Sequence, residues 1–249
     1  MDKLLYVAMT GASENMRAQQ VRANNLANAS TTGFKADFEQ ARSMRAVGDG
    51  MHHTRVFSMA ESPGTNVDSA TLYATQRPLD IGIDGNGWIA VVDDKGSEKY
   101  TRNGSLQLLS SGDLVTNQGN PVMGASGAPI VLPPSSSVNI AQDGTITVYA
   151  IGDPATEPSV VDQIKLVNLE KNTFFKDTDG KMRTNDGLPV AQDLTVQVRS
   201  GFLESSNVNA VGELTSMISL SKSFEMQIKM MKNAEENSSA ALTLSLVEG

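Results

Sequence analysis

Residues 201–249 decide how the rest of the chain is interpreted, and they read GFLESSNVNAVGELTSMISLSKSFEMQIKMMKNAEENSSAALTLSLVEG. No proline occurs in this stretch, and no glycine lies between Gly212 and Gly249. Apolar side chains recur every three or four positions, which is the spacing of one helical stripe. The members of this stripe are Leu214, Met217, Leu220, Phe224, Ile228, Met231, Ala234, Ala241 and Leu244. The charged residues predicted for the opposite face are Glu213, Lys222, Glu225, Lys229, Lys232 and Glu235.

A helix of roughly 35 residues is about 50 Å long at 1.5 Å per residue, which is more than a domain of this size covers. One interpretation is a long core helix. The other is an assembly helix that packs on a second helix of this chain and on neighbouring subunits. Both interpretations require a partner for the stripe.

The N-terminal residues supply a candidate partner helix over residues 2–28. Apolar and small side chains step by three or four there, at Leu4, Leu5, Ala8, Ala12, Met16, Gln19, Ala23 and Leu26. Asn24, Asn25 and Asn28 predict the end of this helix, because asparagine competes with the helical backbone for hydrogen bonds. Residues 30–33 then read as a terminating turn.

Between the helices the sequence changes character twice. Residues 36–77 have no steady period and predict an extended connection, with short strands near residues 54–57. From Pro78 onward, Leu79, Ile81 and Ile83 alternate with polar or small residues, as in a half-buried strand. Glycine-rich turns follow at regular spacing, which predicts an all-β domain, either a sandwich or an irregular barrel.

Two turns are predicted to connect the strands of hairpins. Asn103-Gly104 is predicted to supply the two positive-φ positions of a tight hairpin. Asp143-Gly144 lies between Val138/Ile140 and Ile146/Val148, which is a hairpin pattern.

The predicted fold class is therefore α+β, with long N- and C-terminal helices paired as a coiled-coil-like arm and an all-β domain inserted between them. The predicted parts are an N-terminal helix and turn (1–35), an extended connection (36–77), an all-β domain (78–200) and a C-terminal helix (201–249).

Composition excludes several classes of protein. The formal net charge of -8 argues against nucleic acid as a partner, because phosphate binding needs a basic face. The 249 residues include no cysteine, so disulfide and thiolate chemistry are absent. The short apolar run at residues 4–9 is interrupted by polar residues, so we expect neither a cleavable signal peptide nor a transmembrane segment.

A search for catalytic or metal-binding groups identifies none. His52 and His53 are the only histidines, and neighbours on an extended chain point to opposite sides. Residues 177–180, DTDG, resemble the start of a calcium loop, but Lys181 and Met182 break the pattern. We expect no catalytic residue, no cofactor and no metal site, and therefore not an enzyme.

Three stretches together resemble the flagellar rod and hook proteins. They are ANNLANASTTGFK at 23–35, the segment 79–105 with GNGW and YTRNGS, and residues 201–231 with SNVN and SFEMQ. Thr32 departs from the family, which often has proline at that position. The order of the three stretches matches the helix-β-helix plan.

The resemblance implies a structural subunit of the bacterial flagellar basal-body rod, polymerising through its terminal helices into a shaft that transmits torque and surrounds the export channel. The implied partners are copies of itself, other proximal- and distal-rod subunits and, during secretion, the flagellar type III export apparatus. The implied location is the rod in the periplasmic space. Residues 1–9 and 224–227 resemble the proximal-rod branch most, and the distal-rod branch or another axial protein is the alternative. A secreted β-domain enzyme or carbohydrate-binding module with helical arms is a more remote one.

The predicted assembly interface combines the two stripes with the family motifs. It consists of Leu4, Leu5, Ala8, Ala12, Met16, Asn24, Asn25, Leu26, Asn28, Phe34, Asn207, Asn209, Leu214, Met217, Leu220, Phe224, Ile228 and Met231. For the first three asparagines, simple helix termination and hydrogen bonding to neighbouring subunits both stay open. Asn207 either caps the last helix or, with Asn209, pairs with the first motif.

Overall fold

The structure is a computed structural model that describes residues 2–39, 41–45, 56–60, 64–150, 158–169 and 173–247. Within these ranges the chain forms two helices and eighteen short strands, and every strand pair is antiparallel, so the fold is α+β. The chain divides into two compact units. The helical unit comprises residues 1–29, 37–66 and 208–249, and the β unit comprises residues 30–36 and 67–207.

The helical unit is built on α1 (Asp2–Ala27) and α2 (Ala210–Val247). With 38 residues, α2 is about 57 Å long. Four short strands accompany the helices: β1 (Asp37–Phe38), β2 (Ala41–Arg45), β3 (Val56–Ala60) and β4 (Gly64–Thr65). β1 pairs with β4 and β2 pairs with β3. The segment predicted to be an extended connection therefore carries strand pairs, and residues 54 and 55 lie outside the described ranges.

Asparagine side chains form hydrogen bonds at the C-terminal end of α1 and at the N-terminal end of α2. Nδ2 of Asn28 donates to the backbone oxygen of Asn24 at 2.9 Å, at the predicted end of α1. At the start of α2, the backbone N–H of Gly212 donates to Oδ1 of Asn209 at 3.1 Å, which is the geometry of a helix N-cap. The cap is Asn209, so the capping alternative for Asn207 is wrong.

The β unit contains the other fourteen strands. They are β5 (Leu72–Ala74), β6 (Ile81–Asp84), β7 (Trp88–Val92), β8 (Glu98–Thr101), β9 (Leu106–Leu108), β10 (Leu114–Thr116), β11 (Ser135–Ile140), β12 (Thr145–Ala150), β13 (Ser159–Gln163), β14 (Leu166–Val167), β15 (Phe174–Lys176), β16 (Met182–Thr184), β17 (Gln197–Ser200) and β18 (Phe202–Glu204). The largest sheet has the order β14-β7-β8-β16-β15, a second has β11-β12-β13, and β9, β6 and β5 pair with β10, β17 and β18.

Alternating strand residues supply the core of the β unit. Ile81 and Ile83 of β6 are buried together with Ile89 and Val91 of β7 and with Ile146 of β12. A second cluster packs around Trp88 and Tyr100 on the other face of the largest sheet. The period-two alternation from Pro78 onward therefore predicted the buried face correctly.

One predicted hairpin is confirmed and the other is wrong. Val138 lies opposite Val148 and Ile140 opposite Ile146, with Gly144 at a φ of 83° in the turn. Asn103 and Gly104, in contrast, are absent from the positive-φ residues of the described ranges. A Cβ on Gly104 would lie 1.8 Å from the carbonyl oxygen of Ile81, so this glycine is required by close backbone approach.

The β unit is larger than the predicted all-β domain. It contains residues 30–36 and 67–77 in addition to residues 78–200.

Candidate assembly interface

Small side chains let α1 and α2 approach closely within the helical unit. Ala8 and Ala12 of α1 are buried. Gly11 lies on the adjoining face, where an added Cβ would lie 2.7 Å from Nε2 of Gln227 in α2. Gly11, which the predicted N-terminal stripe did not include, therefore leaves room for the Gln227 side chain of α2.

Polar side chains connect the same two helices. Nδ2 of Asn15 donates to Oγ of Ser223 at 3.0 Å and to Oε1 of Gln227 at 2.9 Å. Nη1 of Arg22 donates to both carboxylate oxygens of Glu213, at 3.2 and 3.1 Å. Since polar contacts at two levels tie α1 to α2, they fix the longitudinal register of the pair.

The side chain of Asn25 is completely buried in the helical unit and makes several hydrogen bonds. Its Oδ1 accepts from the backbone N–H of Asp37 at 2.9 Å, and its Nδ2 donates to the Asp37 carbonyl at 2.7 Å. The same Nδ2 also lies 3.2 Å from Oε1 of Glu213. The Asn25 amide thus forms hydrogen bonds with both the N–H and the carbonyl of Asp37 in β1, as the backbone of a paired strand would. It does so from a position near the end of α1.

Glu213 corrects one prediction about α2. The helical stripe placed it on the outer, polar face, but it is buried and bound to Arg22 and Asn25. It lies in the first turn of α2, where a carboxylate also interacts favourably with the helix dipole.

A groove of about 470 Å³ lies between α1 and α2. Glu14 and Glu39 both line it, and each has one buried carboxylate oxygen without a hydrogen-bond partner. Burial raises the pKa of Glu39, and the neighbouring Glu14 raises it further. The groove is therefore acidic and polar, unlike the apolar pocket that a small-molecule site normally provides.

Large apolar side chains cover the outer surfaces of both helices. On α1, Leu5, Met9 and Met16 are exposed and share one face at steps of four and seven. On α2, the exposed members are Val211, Leu214, Ile218, Met226, Ile228 and Met230. Successive residues of an α-helix are rotated by about 100° around its axis. These positions are therefore spread over most of the α2 circumference that does not face α1. A helix that is apolar on several sides is typical of one buried on several sides.

The β unit contains the remainder of the N-terminal motif. Gly33 has a φ of 67°, and its N–H donates to the backbone oxygen of Glu204 at 2.8 Å. An added Cβ there would lie 2.4 Å from the backbone of Arg102. Phe34 lies under the ammonium of Lys176, with 3.8 Å between Nζ and the ring centroid.

Asn207 joins the two ends of the β unit. Its Oδ1 accepts from the backbone N–H of Ala36 at 2.7 Å, and its own N–H donates to the Phe34 carbonyl at 3.3 Å. Pairing of Asn207 with the first motif is thus the alternative that the structure supports.

A buried charge triad lies beneath this motif. Nζ of Lys35 and Nη1 of Arg102 donate to different oxygens of Glu204, at 2.7 and 3.0 Å, and all three side chains are almost fully buried. Burial lowers the pKa of Lys35, and the hydrogen bond with Glu204 opposes that shift. Two cations around one carboxylate make Glu204 the residue on which the triad depends.

The turn that resembled a calcium loop is occupied by a lysine. Nζ of Lys99 lies 3.0, 2.8 and 2.8 Å from carboxylate oxygens of Asp93, Asp177 and Asp179. Burial lowers the pKa of Lys99, but its three hydrogen bonds outweigh that effect and raise the pKa above the ordinary value. The hydrogen bond from Lys99 lowers the pKa of Asp177 to about 2. The acidic turn thus has its cation within the protein.

No catalytic or metal centre emerges from the described residues. No group of three or more His, Asp or Glu side chains there could hold a metal ion. His52 and His53 lie outside the described ranges. Neither α1 nor α2, as far as they are described, is apolar enough over a sufficient length to cross a membrane.

Three family models match the stretches that carry this geometry. A model described as flagella basal body rod protein matches residues 5–35, and one described as flagellar hook protein FlgE/F/G D1 domain matches residues 82–148. A third, described as flagellar basal body rod FlgEFG protein C-terminal, matches residues 199–244.

Relatives match over nearly the whole chain. The flagellar basal-body rod protein FlgF of Escherichia coli (strain K12) is 40% identical over 247 residues, covering 97% of each chain. The protein of the same name from Salmonella typhimurium is 41% identical over 249 residues, again covering 97% of each chain. This chain belongs to the flagellar basal-body rod protein family. The FlgG protein of Buchnera aphidicola subsp. Acyrthosiphon pisum is 30% identical over 259 residues and covers 93% of this chain and 95% of its own length.

The rod protein family is structural rather than enzymatic, in agreement with the sequence analysis. The matched segments contain the motifs described above: residues 5–35 include most of α1 and the turn at Gly33, residues 82–148 include Arg102, and residues 199–244 include Glu204 and most of α2.

The predicted interface residues have different environments in this rod-family chain. Ala8, Ala12 and Asn25 are buried; Leu26, Asn28, Phe34, Asn207, Met217, Leu220, Phe224 and Met231 are half-buried; Leu5, Met16, Asn24, Asn209, Leu214 and Ile228 are exposed. The side chain of Leu4 lies outside the described set. Their role in assembly stays a prediction.

The sequence pattern did not predict the polar contacts within each unit. In the helical unit they are made by Asn15, Arg22, Glu213 and Gln227, and in the β unit by Lys35, Arg102 and Glu204. The step of seven from Asn15 to Arg22 along α1 was the one available signal, because it places two polar residues on one helical face.

Proposed function

We propose that this chain is a structural subunit of the flagellar basal-body rod that polymerises through α1 and α2. The observation that carries the proposal is the exposure of large apolar side chains on several sides of α2. Each such side chain is worth about 1.5–3 kcal/mol when it becomes fully buried, so an array that buries them gains substantial stability. The names of the relatives, flagellar basal-body rod protein, are consistent with that role.

The proposed assembly element is a coiled-coil-like arm of α1 and α2, with the β unit inserted between them in the sequence. Support comes from the close approach at Gly11 and from the hydrogen bonds of Asn15 and Arg22 to α2. In this arrangement Ala8, Ala12, Met217, Leu220 and Phe224 pack within the arm. The exposed Leu5, Met16, Leu214 and Ile228 contact neighbouring subunits.

We assign the chain to the proximal rod within this family. The relatives of 40% and 41% identity are both FlgF proteins, whereas the FlgG relative is 30% identical. As a rod subunit, it contacts copies of itself and other rod proteins, transmits torque and surrounds the export channel in the periplasm. Export through the flagellar type III apparatus without a cleaved signal peptide belongs to the same proposal.

A pair of substitutions at one exposed position tests the assembly surface. Ile228→Glu places a charge where we propose inter-subunit packing, and desolvating that charge opposes assembly by several kcal/mol. Because Ile228 is exposed in the single chain, the variant should fold and be exported normally. The matched control Ile228→Leu keeps the apolar surface.

Immunoblots of purified basal bodies measure incorporation. We expect Ile228→Glu to be depleted at least tenfold while Ile228→Leu is incorporated normally. Equal incorporation of both variants would show that this face of α2 is not packed in the rod.

A further inference from the structure

Four methionines of the helical unit are unusually accessible for apolar residues. Met9 and Met16 of α1 are each 53% exposed, and Met226 and Met230 of α2 are 58% and 48% exposed. In the β unit, Met123 and Met182 are only 9% and 1% exposed. The chain therefore keeps oxidisable thioethers on the helices in contact with solvent and shields those of the β core.

The four positions lie on surfaces that have no other covering within the described chain. Met9 and Met16 are seven residues apart and share the outer face of α1 with Leu5. Met226 and Met230 are four residues apart and form a second outer face on α2. Both pairs are therefore accessible before assembly, and both would lose solvent contact if these faces became buried.

We propose that Met9, Met16, Met226 and Met230 are sites of reversible sulfoxidation that block incorporation of the unassembled subunit. This inference rests on the proposed function, because it requires that the outer helix faces become buried in the rod. The oxidant is a hydroperoxide, with hydrogen peroxide as the simplest example.

The chemistry is a two-electron oxygen transfer. The thioether sulfur attacks the O–H oxygen of the hydroperoxide, the O–O bond breaks and an S–O bond forms. The proton of the attacked oxygen passes to the second oxygen, which leaves as water from hydrogen peroxide and as an alcohol from an organic hydroperoxide. Sulfur is oxidised to the sulfoxide and peroxide is reduced. Methionine sulfoxide is polar, so each oxidised side chain places a strong hydrogen-bond acceptor on a surface that must become dry. Methionine sulfoxide reductases reverse the reaction, which makes the block reversible.

The accessibility of the four sites is measured on the purified, unassembled full-length chain. After a hydrogen peroxide pulse, peptide mass spectrometry should show these four methionines oxidised at least tenfold faster than Met123 and Met182. Equal rates at all six positions would overturn the proposal.

The effect on assembly is measured in cells that lack their own copy of the protein. One strain expresses the natural chain and another expresses the combined variant Met9→Leu, Met16→Leu, Met226→Leu and Met230→Leu, which keeps the surfaces apolar. A control strain expresses Met123→Leu with Met182→Leu. All are given the same peroxide pulse during rod assembly, and basal bodies are purified and immunoblotted for the chain.

We expect peroxide to reduce incorporation of the natural chain and the control at least threefold and to leave the four-site variant unaffected. A similar loss in all three strains would overturn the proposal, since the lesion would then lie elsewhere. The same would follow from a natural chain that is fully sulfoxidised yet incorporated normally. Absence of the natural chain from basal bodies without peroxide would instead contradict the proposed function.

Discussion

The two units of this chain solve the problem of apolar surface in opposite ways. In the β unit, large apolar residues from many strands are enclosed in two core clusters. In the helical unit, the buried apolar residues of the described helices are Ala8 and Ala12, while the larger side chains are mostly exposed or half-buried. The β unit therefore has a complete apolar core of its own. The helical unit instead exposes large apolar side chains of the kind that are normally buried in a core.

Gly104→Ala should produce the largest effect and should be confined to the β unit. The added methyl carbon would lie 1.8 Å from the Ile81 carbonyl oxygen, and a backbone atom cannot move aside as a side-chain end can. We expect a loss of more than about 4 kcal/mol, enough to unfold the unit.

The chain has one tryptophan, Trp88, and it lies in the β core, so its fluorescence during urea unfolding reports on this unit. Gly119→Ala is the matched control. Gly119 differs from Gly104 in having a positive φ, and an added Cβ there meets no atom within 4 Å. Its loss should be about 1–2 kcal/mol. Equal losses for both variants would remove the steric explanation.

Glu204→Gln should have the second-largest effect, because it leaves Lys35 and Arg102 as buried cations without their carboxylate. Breaking a buried ion pair from one side typically costs about 3–5 kcal/mol. Urea unfolding followed by Trp88 fluorescence measures the change. Asp84→Asn is the control, since Asp84 pairs with Arg199 at the surface and such pairs contribute about 0–1 kcal/mol. A Glu204→Gln chain as stable as the control would show that the triad contributes little.

Asn25→Ala should destabilise the helical unit alone, by about 1–3 kcal/mol, because the partly buried Asp37 backbone loses both hydrogen bonds to the buried Asn25 side chain. Circular dichroism at 222 nm should show earlier thermal loss of helix, with unchanged Trp88 fluorescence unfolding. Asn24→Ala, at an exposed neighbouring position, should change little. A simultaneous shift of both signals would mean that the two units unfold together, which would contradict the separate stabilisation of the helical and β units.

Lys99→Met should have the smallest effect near neutral pH, and its signature is a change in acid sensitivity. The folded-state pKa of Asp177 is about 2, below its ordinary value of 3.8. The stability that this pair contributes is therefore complete above about pH 5 and is lost as the pH falls through 3.8 toward 2. Urea midpoints measured between pH 5 and pH 2 should fall less steeply for the variant than for the natural chain. Identical slopes would show that Lys99 does not lower this pKa.

The sequence predicted the elements of this fold better than their contacts. Alternation at Ile81 and Ile83 identified a buried strand, and the asparagines at residues 24–28 marked the end of α1, because both signals are local. The residues of α2 that face α1 were harder to predict from the sequence. A helix with apolar residues on most sides has no single apolar stripe, so periodicity could not show that Glu213 faces α1.

The polar supports depended on residues far apart in the sequence. Lys35, Arg102 and Glu204 meet only after the β unit folds, and no spacing rule connects them. Asn103-Gly104 shows a different difficulty. The same dipeptide suits a tight turn and a close backbone contact, and only the position of the Ile81 carbonyl distinguishes the two.

The hydrogen bond between Asn207 and Ala36 has a consequence for the order of folding. Asn15 and Gln227 are 212 residues apart, so joining α1 to α2 in an unfolded chain closes a very long loop. Once the β unit has formed, the hydrogen bond from the Ala36 N–H to Oδ1 of Asn207, at 2.7 Å, holds the segment that follows α1 next to the segment that precedes α2. The loop left to close then has an effective length of about 40 residues, which lowers the entropic cost of closure by about 1.5 kcal/mol. The helices therefore join most readily after the β unit has folded, and damage to the β unit should slow helix pairing even where no helical residue has changed.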